Sequence, residues 1–237
     1  MTAHAKGNTR TRKSTDDAFL SIRELIVQGR LAPGSWIVES DLTATLKKSR
    51  TPIRGALQWL QHEGYVVARG TGAKTRMMVA PLTLNDAREL YGIVGRIEGL
   101  AGRFTAGLEP KVRAELVDAL KKLNAELSRV AKSSHPEPGP FVDTDTIFHD
   151  KIVEACAGPR LLAIYKAIKP QTDRYWKLYA STIVADMRSS CREHEAIIKA
   201  IAKGDPEATE RALQVNWEKG AERLLSAIVR SGERGTW

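Results

Sequence analysis

The sequence has few of the features that mark secreted or membrane-spanning proteins. Its 237 residues include only two cysteines, Cys156 and Cys191, too few for a disulfide framework, so a reducing cytoplasm is the expected compartment. No apolar run approaches the roughly 20 residues that a membrane-spanning helix needs. The amino-terminal stretch also lacks the apolar core of a secretory signal. We therefore expect a protein that does not enter a membrane.

Signatures of common enzyme classes are also missing from the sequence. It contains no phosphate-binding loop, no dinucleotide-binding fingerprint, no nucleophile elbow and no His-Glu-x-x-His motif. No internal repeat is present. The hydrophobic content of 42% and the charged content of 27% are those of an ordinary globular protein, long enough for one large or two small domains.

Positive charge is concentrated in the first third of the chain. Residues 1–80 hold 13 Lys and Arg against 6 Asp and Glu, whereas the remaining residues hold 24 against 22. A small basic module beside a nearly neutral larger one suggests one part that binds a polyanion and another with a different task. Within the basic part, residues 1–14 are typical of a disordered tail.

Residues 15–80 predict a small domain made of three helices and a hairpin. Apolar residues recur at helical spacing in the segment DDAFLSIRELIVQ, and two more helix starts follow before a helix-ending glycine at Gly64. Two β-prone runs, YVVAR and AKTRMMVA, then flank a glycine-bearing tip and indicate a hairpin. This order is that of a winged helix-turn-helix domain. The residues suited to cap its second and third helices are Ser40 or Asp41 and Ser49 or Thr51.

Residues 81–232 show helical periodicity and almost no strand signal. The predicted helices cover residues 84–107, 110–132, 141–157, 160–180, 187–203 and 206–230. Six helices of this length make a bundle large enough to enclose a cavity. The expected fold class is therefore mainly α, with an amino-terminal winged helix-turn-helix and its small β-hairpin wing, followed by an all-α helical bundle.

The third helix of the small domain has the residues of a DNA-reading helix. If residues 51–63 are the second helix of a helix-turn-helix, their amino end enters the major groove of double-stranded DNA. Arg50 and Arg54 could then reach phosphates or a guanine edge, and Thr51 could bind a phosphate. Basic residues that would add sequence-independent attraction are Lys47, Lys48, Lys74 and Arg76.

Two arginines at a helix edge can also be simply solvated, and their spacing alone does not decide between the two interpretations. The charge asymmetry of the chain and the hairpin that follows the helix favour contact with DNA.

Three residues of the helical region have the chemistry of metal ligands. Asp145 and His149 lie four residues apart on a predicted helix, so their side chains share one face. His194 lies on a later helix of the same bundle. A carboxylate and two imidazoles could hold a divalent cation such as zinc, nickel or manganese. A helix-capping aspartate and a hydrogen-bonded histidine are the ordinary structural alternative.

The stretch GRLAPGSWIVESDLTATLKKSRTPIRGALQWLQHEGYVVARGTGAKTRMMV resembles the winged helix of the GntR-type bacterial transcription regulators. The resemblance implies that Arg50 and Arg54 contact DNA and that Gly72 or Gly70 is the glycine at the tip of the wing. One position departs from the pattern. Many relatives carry a DNA-contacting arginine early in the second helix, where this chain has Ser40, so operator preference or affinity is expected to differ.

The segments DTIFHDKIVEACAGPRLL and EHEAIIKAIAKGDPEAT resemble the FCD ligand-binding domain of the FadR subgroup of these regulators. The resemblance implies that Asp145, His149 and His194 are metal ligands, together with a fourth residue that is histidine in metal-binding members and Asn216 here. A three-ligand site completed by water or effector is one expectation. A metal-free pocket, in which Asn216 and the histidines bind the effector directly, is the other.

The effector is expected to be a small metabolite. Many relatives carry an arginine where this chain has Val94, which weakens the expectation of a carboxylate without removing it. Four residues are candidates for lining the effector cavity: Arg174, Tyr175, Trp176 and Tyr179. Aromatic residues at this spacing are also common in cores and dimer contacts.

Together these features predict a transcription regulator, in the family's commoner mode a repressor, that acts as a homodimer on a palindromic operator. A small molecule in the bundle would shift the arrangement of the two DNA-binding domains. Two alternatives from other classes are a metal-dependent hydrolase and a non-specific architectural DNA-binding protein. Neither accounts for both the basic domain and the helical bundle.

Overall fold

The computed structural model describes residues 3–72, 75–133, 137–183 and 186–236, with side chains from Lys13 onward. The chain divides into two compact units, Met1–Thr83 with Glu233–Trp237 and Leu84–Gly232. Among the described residues, no helix is both long and apolar enough to cross a membrane.

The first unit is a winged helix, as the sequence predicts. Its helices are α1 (Ala3–Val27), α2 (Glu39–Leu46) and α3 (Arg50–His62), and its strands are β1 (Val66–Arg69) and β2 (Arg76–Val79). The two strands pair antiparallel, with Val66 opposite Val79 and Arg69 opposite Arg76. An isolated bridge between Trp36 and Met78 adds a third extended segment beside β2.

The first unit differs from the prediction in where α1 begins and in how α2 and α3 are capped. The backbone of α1 is helical from Ala3, where the sequence indicates a disordered tail through residue 14. Val38, and not Ser40 or Asp41, occupies the capping position of α2, and Ser49 takes that of α3 without a side-chain hydrogen bond. These helix ends are set by packing of the buried apolar faces and not by side-chain caps.

The apolar faces of α1 and α3 form the core of the first unit. Ile22 and Ile26 from α1 and Ile53, Leu57 and Leu60 from α3 are all buried. Their helical spacing puts them on one side of each helix, so the opposite side of α3 is left exposed.

The last residues of the chain return to the first unit. The backbone N–H of Leu82 donates to the carbonyl of Arg234 at 2.8 Å, and the N–H of Arg234 donates back at 3.0 Å. The guanidinium of Arg69, at the end of β1, donates to the carbonyl of Thr236 at 3.2 Å. Residues 233–236 therefore form a short strap, called the C-terminal strap below, against the base of the wing.

Two glycines allow the C-terminal strap to approach. Gly34 and Gly235 have positive φ angles of 76° and 78°. A Cβ atom built on either glycine would lie 2.9 Å from the other's Cα, which is closer than real contacts allow. The sequence predicts domain limits of 15–80 and 81–232, and the structure adds Glu233–Trp237 to the amino-terminal unit.

The second unit contains the six helices that the sequence predicts. They are α4 (Leu84–Phe104), α5 (Pro110–Ala131), α6 (Pro138–Cys156), α7 (Pro159–Ile183), α8 (Met187–Lys203) and α9 (Pro206–Ser231), and a 3-10 turn (Thr105–Gly107) follows α4. Helix α6 begins earlier than the predicted residue 141, because prolines are tolerated in a first turn, where backbone N–H groups have no helical partner.

Helices α4 and α9 pack closely through glycines on α4. A Cβ at Gly95 would lie 2.9 Å from Cβ of Trp217, and a Cβ at Gly102 would lie 2.4 Å from Cδ1 of Leu213. Gly99 similarly faces the side chain of Gln214. Small residues at these positions bring the two helix backbones together. A second core, made mainly by α5, α6 and α8, includes Leu116, Leu120, Phe148, Ile152, Ile197 and Ile201.

The glycine face of α4 can be tested with two alanine substitutions. Gly95→Ala should lower the free energy of unfolding by about 1–3 kcal/mol, because its methyl group collides with Cβ of Trp217. Gly92→Ala is the matched control on the same helix: nothing lies within 4 Å of its added Cβ, so the better helix former should raise stability by about 0.5–1 kcal/mol. Urea denaturation followed by circular dichroism measures both, and similar effects at the two positions would contradict the packing described.

The C-terminal strap can be tested at one residue. Arg234→Pro removes the N–H that donates to Leu82, whereas Arg234→Ala keeps it. A lost hydrogen bond of about 1 kcal/mol should accelerate amide exchange at Leu82 about fivefold in the proline variant only. Hydrogen exchange read by mass spectrometry measures this, and equal protection in the two variants would show that the strap does not hold Leu82.

Candidate functional site

The amino end of α3 is exposed on the first unit. Arg50, Thr51 and Arg54 are all exposed, while Ile53 and Leu57 between and after them are buried. The helix therefore has a buried face that fixes its position and a basic end that is open to solvent. This is the geometry that insertion into a major groove requires.

Arg54 is held in place by a residue of the preceding helix. Its Nε donates to Oε2 of Glu39 at 2.8 Å, while its side chain remains 63% exposed. Lys48 lies 3.7 Å from Asp17, a surface contact of small energy. Ser40 is exposed in the first turn of α2.

The wing carries two arginines. The sequence suggests only sequence-independent attraction to DNA for Arg76 and indicates no role for Arg69. Arg69 and Arg76 lie opposite each other at the end of the hairpin, and the Arg76 guanidinium stands 4.8 Å from the ring centre of the exposed Trp36. Gly72 at the tip has a positive φ of 55°. Lys74 lies outside the described residues.

The second unit brings the predicted metal ligands together. Asp145 and His149 lie one turn apart on α6, and His194 comes from α8. All three are buried, with exposures of 5%, 4% and 0%. One ligand atom from each residue lies within 4.8 Å of the other two, and Nε2 of His194 is 3.5 Å from Oδ1 of Asp145.

Several atoms of this cluster have no hydrogen-bond partner among the described residues. Asp145 accepts a hydrogen bond from Nε1 of Trp176 through Oδ2 at 3.2 Å, but its Oδ1 has none among the described residues. Both ring nitrogens of His194 are likewise buried without a hydrogen bond, and its ring stacks on Phe148 at 4.0 Å. Each unsatisfied buried polar atom costs about 1–3 kcal/mol, so three in one place indicate a site for an ion or water.

His149 is held by a carboxylate from another helix. Its Nδ1 lies 2.6 Å from Oε2 of Glu98 on α4, and Nε1–H of Trp217 donates to the same oxygen at 2.7 Å. The hydroxyl of Tyr165 lies 3.1 Å from the other oxygen, Oε1, and 2.8 Å from Oδ1 of Asp150, so the two carboxylates share its single proton. Glu98 therefore fixes one side of the imidazole and leaves Nε2 as the nitrogen available to a ligand.

The two histidines have different acid–base properties. Burial, together with the neighbouring His149, holds the pKa of His194 well below its ordinary value, so this imidazole is neutral. Burial also acts to lower the pKa of His149, but the charge of Glu98 and the hydrogen bond to it outweigh burial and raise that pKa. A neutral imidazole is the form that binds a metal ion, and His194 has it across the physiological range.

A cavity of about 20 Å³ adjoins the cluster. Because a single water needs a cavity of about 10–15 Å³, this cavity has room for one water or one ion. Its lining residues are Tyr91, Asp145, His149, Trp176, Ser190, Asn216, Trp217, Gly220 and Arg223. Asn216 is thus one of the residues that line the cavity beside the cluster.

Asn216 is oriented by a partly buried ion pair. Its Nδ2 donates to Oε2 of Glu193 at 2.9 Å, and Arg223 donates to both oxygens of Glu193 at 2.8 and 2.9 Å. Because the amide nitrogen is used in this way, Oδ1 is the remaining side-chain acceptor of Asn216.

Arg174 and Tyr175 are buried but do not line this cavity. The hydroxyl of Tyr175 donates to Oδ2 of Asp86 on α4 at 2.5 Å. Successive helical residues are about 100° apart, so the next residue, Trp176, is the one that reaches the cluster. A larger cleft of about 310 Å³ between α4 and α9 shares Tyr91 and Trp217 with the small cavity.

Several residues of the site were not assigned a role from sequence. The sequence gives the least indication of a role for Glu98, because a glutamate in a helix is usually solvated. Gly95 and Gly102 lie three residues before it and four after it, and this spacing marks the face of α4 that packs closely on another helix. The other such residues are Tyr91, Tyr165, Glu193, Trp217 and Arg223.

Two protein-family models match the chain. The model described as "Bacterial regulatory proteins, gntR family" matches residues 15–74, in the first unit. The model described as "FCD domain" matches residues 89–218, more than half of the chain, in the second unit.

Curated relatives are similar over most of their length. The "Probable D-xylose utilization operon transcriptional repressor" of Paenarthrobacter nicotinovorans is 28% identical over 214 residues, which cover 90% of this chain and 89% of the relative. The "Gluconate operon transcriptional repressor" of Bacillus licheniformis is 28% identical over 211 residues, which cover 83% of this chain and 79% of the relative.

Solved structures show the same fold. E. coli McbR/YncC superposes with a TM-score of 0.69 at 18% identity, covering 90% of this chain and 97% of that one. A GntR transcriptional regulator from Rhodococcus sp. RHA1 superposes with a TM-score of 0.64 at 21% identity, covering 92% and 98%. At these identities the likeness concerns the fold alone.

Proposed function

Because the chain belongs to the gntR family of bacterial regulatory proteins and carries an FCD domain, it is a DNA-binding transcription regulator, and we propose that it is a homodimeric repressor. It is therefore a regulator and not a metal-dependent hydrolase. Repression is supported by the names of the relatives, which include two operon repressors. A dimer would present two winged helices to a palindromic operator, as two-fold symmetric regulators do.

The amino end of α3 is the proposed reading element. Arg50 and Arg54 would contact base edges or phosphates in the major groove, and Thr51 would donate to a phosphate. The exposure of all three residues beside a buried apolar face supports this assignment. Ser40, Lys48, Gly72 and Lys74 complete the proposed surface, with Ser40 standing where many relatives carry an arginine.

The buried cluster of the FCD domain is the proposed effector-responsive site. The observation that carries the proposal is the set of unpartnered buried atoms, Oδ1 of Asp145 and the ring nitrogens of His194, next to a cavity of one-ion size. Asp145, His149 and His194 fit a divalent cation such as zinc, nickel or manganese. Asn216 or a water would take a further position, and the bound cation would supply a positively charged point that attracts an oxygen of the effector.

The effector is proposed to be a small polar metabolite. The relatives' names refer to operons for a sugar and a sugar acid, which suits a ligand with hydroxyl or carboxylate oxygens. The metal-free form of the proposal, in which Asn216 and the histidines bind the effector directly, uses the same cavity and differs in its response to chelators.

The reading element is tested by removing one arginine. Arg54→Ala should weaken binding to an operator duplex selected from random sequences by about 1–3 kcal/mol, because a bidentate base contact is lost. Arg192→Ala removes the same charge from an exposed position on α8 and should leave affinity within about twofold. Fluorescence anisotropy at fixed salt measures both, and an unchanged affinity in Arg54→Ala would show that α3 does not read the operator.

The metal site is tested at His194. His194→Leu should abolish binding of zinc or manganese while leaving the metal-free protein as stable as the wild type or more so, since an apolar side chain replaces two unpartnered buried nitrogens. Calorimetric titration and thermal unfolding after chelation measure the two effects. A marked loss of stability in the chelated variant would mean that His194 is a hydrogen-bonded structural residue.

A further inference from the structure

Glu98 is a buried carboxylate at the meeting point of four helices. It lies on α4 with no exposed surface. Its Oε2 accepts hydrogen bonds from His149 on α6 and Trp217 on α9, and its Oε1 shares the hydroxyl proton of Tyr165 on α7 with Asp150. Burying an ionised carboxylate is costly unless it is well hydrogen-bonded, and this one has three donors from three elements. Packing alone does not account for a buried carboxylate at this position, because an apolar residue would fill the same space without the cost of desolvating a charge.

The contact with His149 links Glu98 to the proposed cation site. The carboxylate engages Nδ1, so the ring presents Nε2 to Asp145 and His194. Carboxylates that accept from the second nitrogen of a ligating histidine fix its tautomer and raise its basicity, and their loss lowers metal affinity. Glu98 itself is not among the residues whose ligand atoms converge.

We propose that Glu98 is a positioning residue for the cation held by Asp145, His149 and His194, acting through the imidazole of His149. The inference rests on the proposed metal site and adds a residue from α4 to it. The same oxygen of Glu98 also holds the indole of Trp217, which lines the one-ion cavity and lies 5.4 Å from the His149 ring. One carboxylate thus orients a ligand and a wall of the site together.

The substitution Glu98→Gln separates charge from shape. The amide has the same size, and its oxygen can accept from both His149 and Trp217 in place of Oε2. Its NH₂ group would then face Tyr165, whose hydroxyl can accept that bond while it donates to Oδ1 of Asp150 at 2.8 Å. The variant should therefore fold, with His149 still oriented but without the negative charge that strengthens it as a ligand.

Asp150 provides a matched control. Its carboxylate belongs to the same hydrogen-bond network through Tyr165, and although Asp150 follows His149 in the chain, no hydrogen bond joins their side chains among the described residues. Asp150→Asn removes one negative charge close to the site and leaves the Glu98–His149 pair intact. A general effect of charge on cation binding would appear in both variants, whereas positioning through His149 would appear only in Glu98→Gln.

The experiment titrates chelated protein with Zn²⁺, using a competing chelator to set the free ion concentration. Glu98→Gln should bind Zn²⁺ about 10- to 100-fold more weakly than the wild type. Asp150→Asn should bind Zn²⁺ with an affinity within about threefold of that of the wild type, because the charge of Asp150 acts on the cation only through screened electrostatics. In the Co²⁺-loaded form, the visible absorption bands of Glu98→Gln should shift, because the field of the His149 ligand changes, while those of Asp150→Asn should not.

The outcomes separate this inference from the metal site on which it rests. If wild type and Glu98→Gln bind Zn²⁺ equally and give the same Co²⁺ spectrum, Glu98 has only a structural role and the metal site stands. Equal weakening in Glu98→Gln and Asp150→Asn would likewise overturn positioning through His149 in favour of general electrostatics. A wild-type protein that binds neither ion would overturn the metal site, and this inference with it.

Discussion

The close packing of α4 against α9 is the constraint on which the second unit depends. Glycines at positions 95, 99 and 102 let the two backbones approach, and larger residues there would collide with Trp217, Gln214 or Leu213. This contact brings Glu98 within hydrogen-bonding distance of Trp217. Without it, the carboxylate would lose a donor and the wall of the small cavity would open. The chemistry of the site therefore follows from the absence of side chains at a few positions.

The same two helices are joined to the winged-helix unit through the chain. Helix α4 begins directly after Thr83, and α9 ends at Ser231, just before the C-terminal strap that pairs with Leu82. The chain thus passes between the units twice, both times at the same end of the helix pair that holds Glu98, Asn216 and Trp217. In the proposed mechanism, a change in the site would reach the DNA-binding unit through these two covalent connections, provided that the effector binds two arrangements with different affinity.

The DNA-binding unit shows how a surface can be basic and still ordered. Ile53 and Leu57 fix α3 from below, and the ion pair with Glu39 restrains Arg54 without covering it. In the proposed contact of Arg54 with DNA, this restraint would reduce the conformational entropy that the side chain loses on binding. The αL backbone of Lys47, with φ of 51°, makes the tight turn between α2 and α3 that sets the two helices for this purpose.

The sequence by itself determined the order of elements, the six helices of the bundle and the faces of α3, because these follow from local periodicity and turn residues. It also marked Asp145, His149 and His194, whose spacing and chemistry are readable without coordinates. Only the tertiary structure decided that Glu98 joins them, that Trp176 and not Tyr175 reaches the cavity, and that residues 233–236 complete the first unit. These are contacts between residues about 30 to 150 positions apart, and they depend on how whole helices pack, which no local pattern encodes.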